Sequence, residues 1–354
     1  MDAPRQNISG FDRKQLSDFL ESIGEKPFRG KQIYTWMYRK LENDFDRMTD
    51  LGKSLRAKLL QTAVISLPEI ETVETTRNGS SSKYRFRLED GLAIESVLMK
   101  ESARVTLCVS TQVGCALGCK FCATGSMGFQ RNLTVAEIIG QFISASRHSG
   151  ENITNVVFMG MGEPLLNYDN VAKSVGLLTD SDGLAVSSRR ITLSTVGIVP
   201  GIDRMAADRL PVKLAISLNA PDDKLRSELM PITKKYPLSE LFAVAHRYEK
   251  TTRHRVTYEY VLIKGVNDTK KHADALKKTL SGFTAKLNLI EYNPVQFTGS
   301  ANNTLAPLFP PDPGTSQKFQ TALERPGLAV MIRKSLGGEI SAACGQLCID
   351  EHRQ

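Results

Sequence analysis

The sequence predicts an α/β protein whose main body is a parallel sheet of βα units, closed or partly closed into a barrel, with a small helical unit ahead of it. Three observations lead there. From residue 103 onward, strand-like and helix-like runs alternate. Strands are expected near 103, 154, 190, 212, 255 and 285, and helices near 134–149, 168–179, 200–208, 238–251, 269–281 and 315–325; a last strand, LAVMIR, begins at 328. Such βα units in a row imply parallel strands. No GxGxxG follows the first strand, which counts against an open dinucleotide-binding sheet, the other architecture that fits the alternation. Finally, several strands are polar on one side only. Thr106, Cys108 and Ser110 alternate with Val105, Leu107 and Val109; Thr192 and Ser194 alternate with Ile191 and Leu193; Lys213, Ser217 and Asn219 alternate with Leu214, Ile216 and Leu218.

A parallel strand covered on both faces should be apolar throughout. One polar face on several strands therefore predicts a lumen that holds a polar ligand. Barrel active sites lie at the C-terminal ends of strands. The ends here are Cys108/Ser110, Gly162-Glu163, Ser194, Ser217/Asn219 and Asn293, and they are expected to share one mouth.

Ahead of the sheet, residues 1–62 read as a helical accessory unit. FDRKQLSDFLESIG puts Phe11, Leu16, Phe19, Leu20 and Ile23 near one helical face and stops at Gly24. FRGKQIYTWMYRKL and the stretch Leu51 to Leu60 continue it. Residues 63–100 change period: YRFRLEDGLAIESVLMK is two alternating runs about Asp90-Gly91, a hairpin signal that reads as a β-linker into the main domain at 101–354.

Composition narrows the function. The 354 residues are 41% hydrophobic, enough for a sizeable core, yet no run approaches the roughly 20 apolar residues of a membrane span. MDAPRQNISG lacks the apolar stretch of a signal peptide, so a cytoplasmic protein with no membrane partner is expected. There, six cysteines point to metal ligation or catalysis before disulfides. The net charge of +8 suits a polyanionic partner such as RNA. The basic residues are dispersed, so any RNA surface is built by the fold. The five histidines are scattered and receive no catalytic role.

Cys115, Cys119 and Cys122 form C-x₃-C-x₂-C just after the first barrel strand. Thiolates are the preferred ligands of iron–sulfur clusters. Three can hold three irons of a [4Fe–4S] cluster and leave the fourth open to S-adenosyl-L-methionine (SAM), which chelates iron through its amino and carboxylate groups. The alternative is tetrahedral zinc with Cys108 or a distant cysteine as fourth ligand, although zinc sites favour paired C-x₂-C units or histidines, and neither is near this loop.

At these residues the chain resembles a known family. GCALGCKFCATGSMGFQRNLT resembles the cluster loop of bacterial radical SAM rRNA methyltransferases. FRGKQIYTWMYRK, IESVLM, FMGMGEPLLN, RRITLSTVGIVP, LAISLNAP, LMPI, YVLIKGVND, NPV and ACGQL extend the likeness over residues 11–350. The resemblance is to the RlmN family, dual-specificity adenine-C2 methyltransferases of 23S rRNA and tRNA. A sister subfamily methylates C8 of the same rRNA adenine and tends to lack the equivalent of Pro164, Leu165 and Leu166, which are present here.

The resemblance implies a radical SAM (β/α)6 partial TIM barrel and assigns roles by position. Cys115, Cys119 and Cys122 would ligate the cluster. Gly162, Glu163, Ser194, Ser217, Leu218, Asn219 and Asn293 would contact SAM; the family often has His where Asn219 stands. Cys344 would accept a methyl group from one SAM and lose a hydrogen to the radical made from a second. Cys108 would take the C2 proton and then pair transiently with Cys344 to free the product. Glu95 matches the proton acceptor. A structural carboxylate at Glu95 and an inert Cys108 are the plain alternatives, and Cys348 has no counterpart. Implied partners are 23S rRNA, tRNA and an electron donor such as flavodoxin or ferredoxin, serving a monomer. Arg131, Arg189, Arg190 and Arg253 are candidates for phosphate contacts.

Overall fold

In the computed structural model, residues 5–282, 284–295 and 307–349 are described. Two short strands, β1 (Gln6–Asn7) and β2 (Ala63–Val64), pair in parallel and tie together the start and end of the helical unit. Between them lie helices Arg13–Ser22, Arg29–Tyr34 and Lys53–Thr62. The first begins at a reciprocal cap: Asp12 Oδ1 accepts from Gln15 N–H at 2.9 Å, and Gln15 Oε1 accepts from Asp12 N–H at 3.1 Å. Leu16, Phe19 and Leu20 are its buried stripe, the face that the sequence spacing marks. The unit docks on the barrel through Arg13, which pairs with Asp180 at 2.5 Å and Asp182 at 3.0 Å.

The main body is one ten-stranded sheet. Its strands are β3 (Glu69–Thr75), β4 (Ser81–Arg87), β5 (Ala93–Glu101), β6 (Arg104–Cys108), β9 (Asn155–Phe158), β10 (Ile191–Thr195), β11 (Lys213–Ser217), β12 (Thr257–Leu262), β13 (Ala285–Glu291) and β14 (Leu328–Arg333). A separate pair, β7 (Gln112–Gly114) and β8 (Phe129–Asn132), brackets the cysteine loop. From β6 to β14 the sheet strands run parallel in chain order. Helices Val135–Ser149, Tyr168–Thr179, Val199–Ala207, Leu238–Thr252, Lys270–Thr279 and Thr315–Leu323 fill the connections. The sequence alternation is thus realised as a radical SAM-type α/β fold. The hairpin about Asp90-Gly91 also forms, as β4 and β5 with Arg87 opposite Ala93. It is continuous with the main sheet, because β5 pairs antiparallel with β6.

One face of the sheet is covered by helices. Leu193, Leu214, Ile216, Tyr260, Leu287 and Leu289 are fully buried there, and the Tyr258 ring meets Phe242 with centroids 5.6 Å apart. The residues between them point the other way. Register carries this second face across the sheet: Lys83 is opposite Val97, Val97 opposite Cys108, and Cys108 opposite Val157. Likewise Ser217 is opposite Glu259, and Glu259 opposite Asn288. Strands sit about 4.8 Å apart, so a flat sheet would hold β6 and β14 roughly 29 Å from each other. Yet the Arg333 charge on β14 reaches the Cys108 thiol on β6. The sheet is therefore curled, and its polar face lines a lumen. No helix among the described residues is long and apolar enough to cross a membrane.

Candidate active site

The cysteine loop hangs between β7 and β8. Gly114 has φ +74°, and a Cβ there would lie 1.8 Å from the Gly128 carbonyl oxygen; only glycine lets the two strands cross so closely. The crossing is closed by Cys115 N–H donating to Gly128 O at 2.8 Å. Lys120 N–H donates to Leu229 O at 2.9 Å, and Cys122 N–H to Cys119 O at 3.2 Å. The three thiols feel one another's charge. Burial pushes Cys115 up to about 12 and raises Cys119 and Cys122, so they shed their protons only to a strong Lewis acid. Among the described residues no three Cys, His, Asp or Glu side chains close on a single-ion site. Three thiols on one loop around a shared space suit a cluster, whose irons occupy separate corners.

Beside the loop is a residue that the sequence reading missed. Arg226 is buried, and its guanidinium donates to Leu218 O (3.1 Å), Thr233 Oγ1 (2.9 Å), Val196 O (2.6 Å) and Ser217 O (3.0 Å). It staples the ends of β10 and β11 together. Burial lowers it to about 10, while the Cys119 charge pulls the other way. Its position on the apolar stripe of LRSELM, with Leu225 and Leu229, was the available signal.

The turn after β9 forms a second wall. Gly162 has φ +95°, and a Cβ there would meet Gln112 Cβ at 2.5 Å. Gln112 Oε1 accepts from Glu163 N–H at 2.8 Å. The buried Glu163 carboxylate accepts from Val196 N–H at 2.9 Å and Leu165 N–H at 3.1 Å. Burial still dominates, holding it protonated up to about 7. Glu163 thus joins the ends of β9 and β10 as well as facing the mouth. Ser194 and Ser217 have hydroxyls with no protein partner among the described residues and are open to a ligand. Leu218 and Asn219 are not: the Leu218 side chain is buried, while Asn219 Oδ1 accepts from Val261 N–H at 2.9 Å. They shape the strand end. Asn293 Nδ2 donates to Ser335 Oγ at 3.1 Å, joining the end of β13 to the C-terminal segment.

That segment crosses the mouth. Ala123 N–H donates to Gly345 O (2.8 Å), Thr124 Oγ1 to Leu347 O (2.6 Å), and Gln346 Nε2 to Pro294 O (2.8 Å). Cys348 N–H donates to Glu95 Oε2 at 3.0 Å. Cys344 rides on this segment as an exposed residue over the lumen. Enclosure by the protein and the nearby Glu259 carboxylate push its thiol up to about 11. Its charge is felt at Cys108, whose thiol burial raises to about 12 and Arg333 draws down. The two cysteines, 236 positions apart in the chain, are near enough across the lumen for the Cys344 charge to act on the Cys108 thiol.

Glu95 is 4% exposed, near the start of β5. Its partner is Lys83, also 4% exposed, with Nζ 3.3 Å from Glu95 Oε1 and 3.3 Å from Glu74 Oε1. Burial raises the Glu95 carboxyl, and Lys83 opposes that. Lys83 is the second residue missed; pairing within the hairpin brings it diagonal to Glu95. Among the candidate phosphate contacts, Arg131 is corrected: it is clamped between Asp90 (2.6 Å) and Glu137 (2.8 Å), both of which raise its pKa. Its charge is neutralised inside the protein. Arg189, Arg190 and Arg253 remain exposed.

Residues 6–65 match the ribosomal RNA large subunit methyltransferase N-terminal domain, and residues 109–276 match the radical SAM superfamily. A probable dual-specificity RNA methyltransferase RlmN of Symbiobacterium thermophilum is 46% identical over 97% of this chain and 91% of its own length. The chain belongs to the RlmN family. The dual-specificity RNA methyltransferase RlmN of Rhodospirillum rubrum is 44% identical over 98% of this chain and 81% of its own length, and that of Marinobacter nauticus 43% over 98% and 93%. A crystal structure of a radical SAM methyltransferase from Sphaerobacter thermophilus superposes with a TM-score of 0.90 at 43% identity, covering 97% of this chain and 99% of that one. As a radical SAM protein of the RlmN family, the chain takes a [4Fe–4S] cluster and SAM, which the donor set of its loop and the glycine cradle at Gly162 fit.

Proposed function

We propose that this RNA methyltransferase methylates C2 of an adenine in 23S rRNA and in tRNA, carrying the methyl group on Cys344. The observation that supports the reading is that the Cys344 charge acts on the Cys108 thiol, while the segment bearing Cys344 bonds to the cysteine loop at Ala123 and to Glu95 through Cys348 N–H. When bound on Cys115, Cys119 and Cys122, the cluster supplies the electron that turns SAM into a carbon radical, and a further SAM supplies the methyl group, so that each turnover uses two SAM. Gly162, Glu163, Ser194, Ser217 and Asn293 form the wall against which SAM is oriented, and the Leu218–Asn219 turn sets the height of that wall.

Adenine C2 has no acidic hydrogen, so transfer of a methyl cation does not reach it, whereas a carbon radical adds there. Cys344 holds that carbon as a thioether, one hydrogen short of methyl. After addition, Glu95 or the Cys108 thiolate takes the C2 proton, and the unpaired electron left on the ring passes to the oxidised form of the one-electron carrier that serves the cluster, which leaves a closed-shell thioether on Cys344. The Cys108 sulfur then bonds to the Cys344 sulfur as the Cys344 sulfur–carbon bond breaks. The electron pair of the broken bond stays with the carbon, which picks up a proton and leaves as the methyl of the product. A dithiol reductant reopens the disulfide with two electrons. Lys83 keeps Glu95 able to ionise in a buried place. The cytoplasm, where thiols stay reduced, is the compartment that suits this chemistry. A flavodoxin- or ferredoxin-like donor would serve the cluster of a single, monomeric chain, and Arg189, Arg190 and Arg253 are its exposed contacts for RNA phosphate.

The test is mass spectrometry of RNA bases after anaerobic reaction with methyl-labelled SAM. Labelled 2-methyladenine is expected; 8-methyladenine would overturn the position. Cys344→Ala is expected to reduce labelling to background with iron content unchanged, and a variant that still turns over excludes the methyl-carrying cysteine.

A further inference from the structure

We infer that Glu259 and Asn288 form a hydrogen-bond-accepting site in the lumen for the donor groups of an adenosine, either its exocyclic amino group or its ribose hydroxyls. Both residues sit mid-strand on the lumen face, in one row with Ser217. Glu259 is 6% and Asn288 7% exposed. Asn288 Nδ2 donates to Glu259 Oε1 at 2.9 Å. Against an ionised Glu259, exchanging the amide ends would turn a carbonyl onto the carboxylate, so Asn288 Oδ1 is the atom left over; burial raises the Glu259 carboxyl, and Arg333 and the Asn288 amide oppose that. Among the described residues, Glu259 Oε2 and Asn288 Oδ1 have no hydrogen-bond partner. The nearest cation, Arg333 Nη1, lies 3.9 Å from Glu259 Oε1 and belongs to a half-exposed side chain, too far for a hydrogen bond.

Buried acceptors are rarely left without donors, and two neighbouring ones on a polar lumen wall define what can enter. The occupant must present hydrogen-bond donors. Phosphates, carboxylates and carbonyl edges are repelled. The Glu259 charge acts on the Cys344 thiol, so the site adjoins the sulfur that carries the methyl group. On the proposed function, on which this inference rests for its occupant, the molecules brought to that sulfur are SAM and the target nucleotide. Both contain an adenosine: the exocyclic amino group of either, or the vicinal ribose hydroxyls of SAM, offers two donor hydrogens to two acceptors.

The test uses the full chain with its cluster reconstituted, and the variants Glu259→Leu, Glu259→Gln and Asn288→Leu; Glu259→Gln keeps the side-chain volume should the leucine variants fail to fold. Equilibrium dialysis gives the Kd for SAM and for S-adenosylhomocysteine. Titration with a target RNA hairpin, with S-adenosylhomocysteine saturating, gives the Kd for adenine and for unsubstituted purine at the target position. One of the two affinities is expected to weaken about tenfold or more. Weaker SAM binding with RNA binding unchanged assigns the site to the adenosine of SAM. Weaker RNA binding that disappears when purine replaces adenine assigns it to the target. Both affinities within twofold of wild type, in folded variants of normal iron content, overturn the inference. A wild-type chain that binds SAM and methylates no RNA would refute the proposed function and leave the SAM arm intact.

Discussion

Two cysteine-bearing segments face each other across the mouth, and they are held in different ways. The loop of Cys115, Cys119 and Cys122 is built into the scaffold: a glycine crossing under β8 closes its base, and buried Arg226 ties the strand ends behind it. The C-terminal segment with Cys344 lies on top, anchored by the buried side chains of Ala342, Ala343 and Leu347 and by single hydrogen bonds to Ala123, Thr124, Pro294 and Glu95. The radical-forming half needs fixed geometry, because a cluster ligand out of place releases iron. On the proposed function, the half with Cys344 has to approach the nucleobase and then Cys108, and Cys344 is the exposed residue between the buried anchors of its segment.

Substitutions on the two sides should therefore differ in kind. The largest effect is expected at Arg226. Arg226→Met leaves three carbonyls and the Thr233 hydroxyl without a donor in a buried place, and about 3–5 kcal/mol of stability should be lost in urea unfolding. Arg226→Lys cannot span the same four acceptors and should recover only part of it. Gly114→Ala should follow, at about 2–4 kcal/mol, since it adds a clash with Gly128 to an unfavourable φ; iron bound per chain after reconstitution should fall with it. If either variant kept wild-type stability and iron, the loop would be as loosely held as the tail.

Legibility in the sequence followed the same divide. The strands and helices that the pattern marks between 104 and 333 fall within a few residues of it, because binary patterning and local turn chemistry decide them, whereas β7, β8 and the short helices Ala123–Ser126 and Asp223–Leu229 lie outside that pattern and were not expected. The lumen face was readable from Thr106, Cys108, Ser194 and Ser217 for the same reason. What was not readable depends on pairing between distant elements. Lys83 looks like one of several basic residues in KYRFR until hairpin register sets it diagonal to Glu95. Arg226 has no assigned element in the sequence, and its acceptors come together only where the ends of β10 and β11 meet. Arg131 looks free until Asp90 and Glu137 reach it from two other elements. Glu259 and Asn288 gain meaning only because neighbouring parallel strands align them.

On the tail side, effects should appear in pH dependence and turnover before stability. Glu95 has a raised folded pKa, so the folded state keeps its proton to higher pH than the unfolded chain. Its contribution to stability is therefore full below the ordinary carboxylate value of 4.5 and is lost as pH rises through the folded value. Lys83→Met removes the opposing charge and moves that folded value up further, so the fall in unfolding midpoint should extend to higher pH. Glu95→Gln should flatten it, and an unchanged profile in Lys83→Met would show that the pair does not govern Glu95. The smallest effect is expected at Thr124→Val, which deletes the 2.6 Å hydrogen bond to Leu347 O and should cost about 1 kcal/mol. Hydrogen exchange should place that loss at residues 343–348, with the cysteine loop unaffected. Protection lost equally in both segments would mean that loop and tail form one cooperative unit, and turnover would then require the loop to open together with the tail.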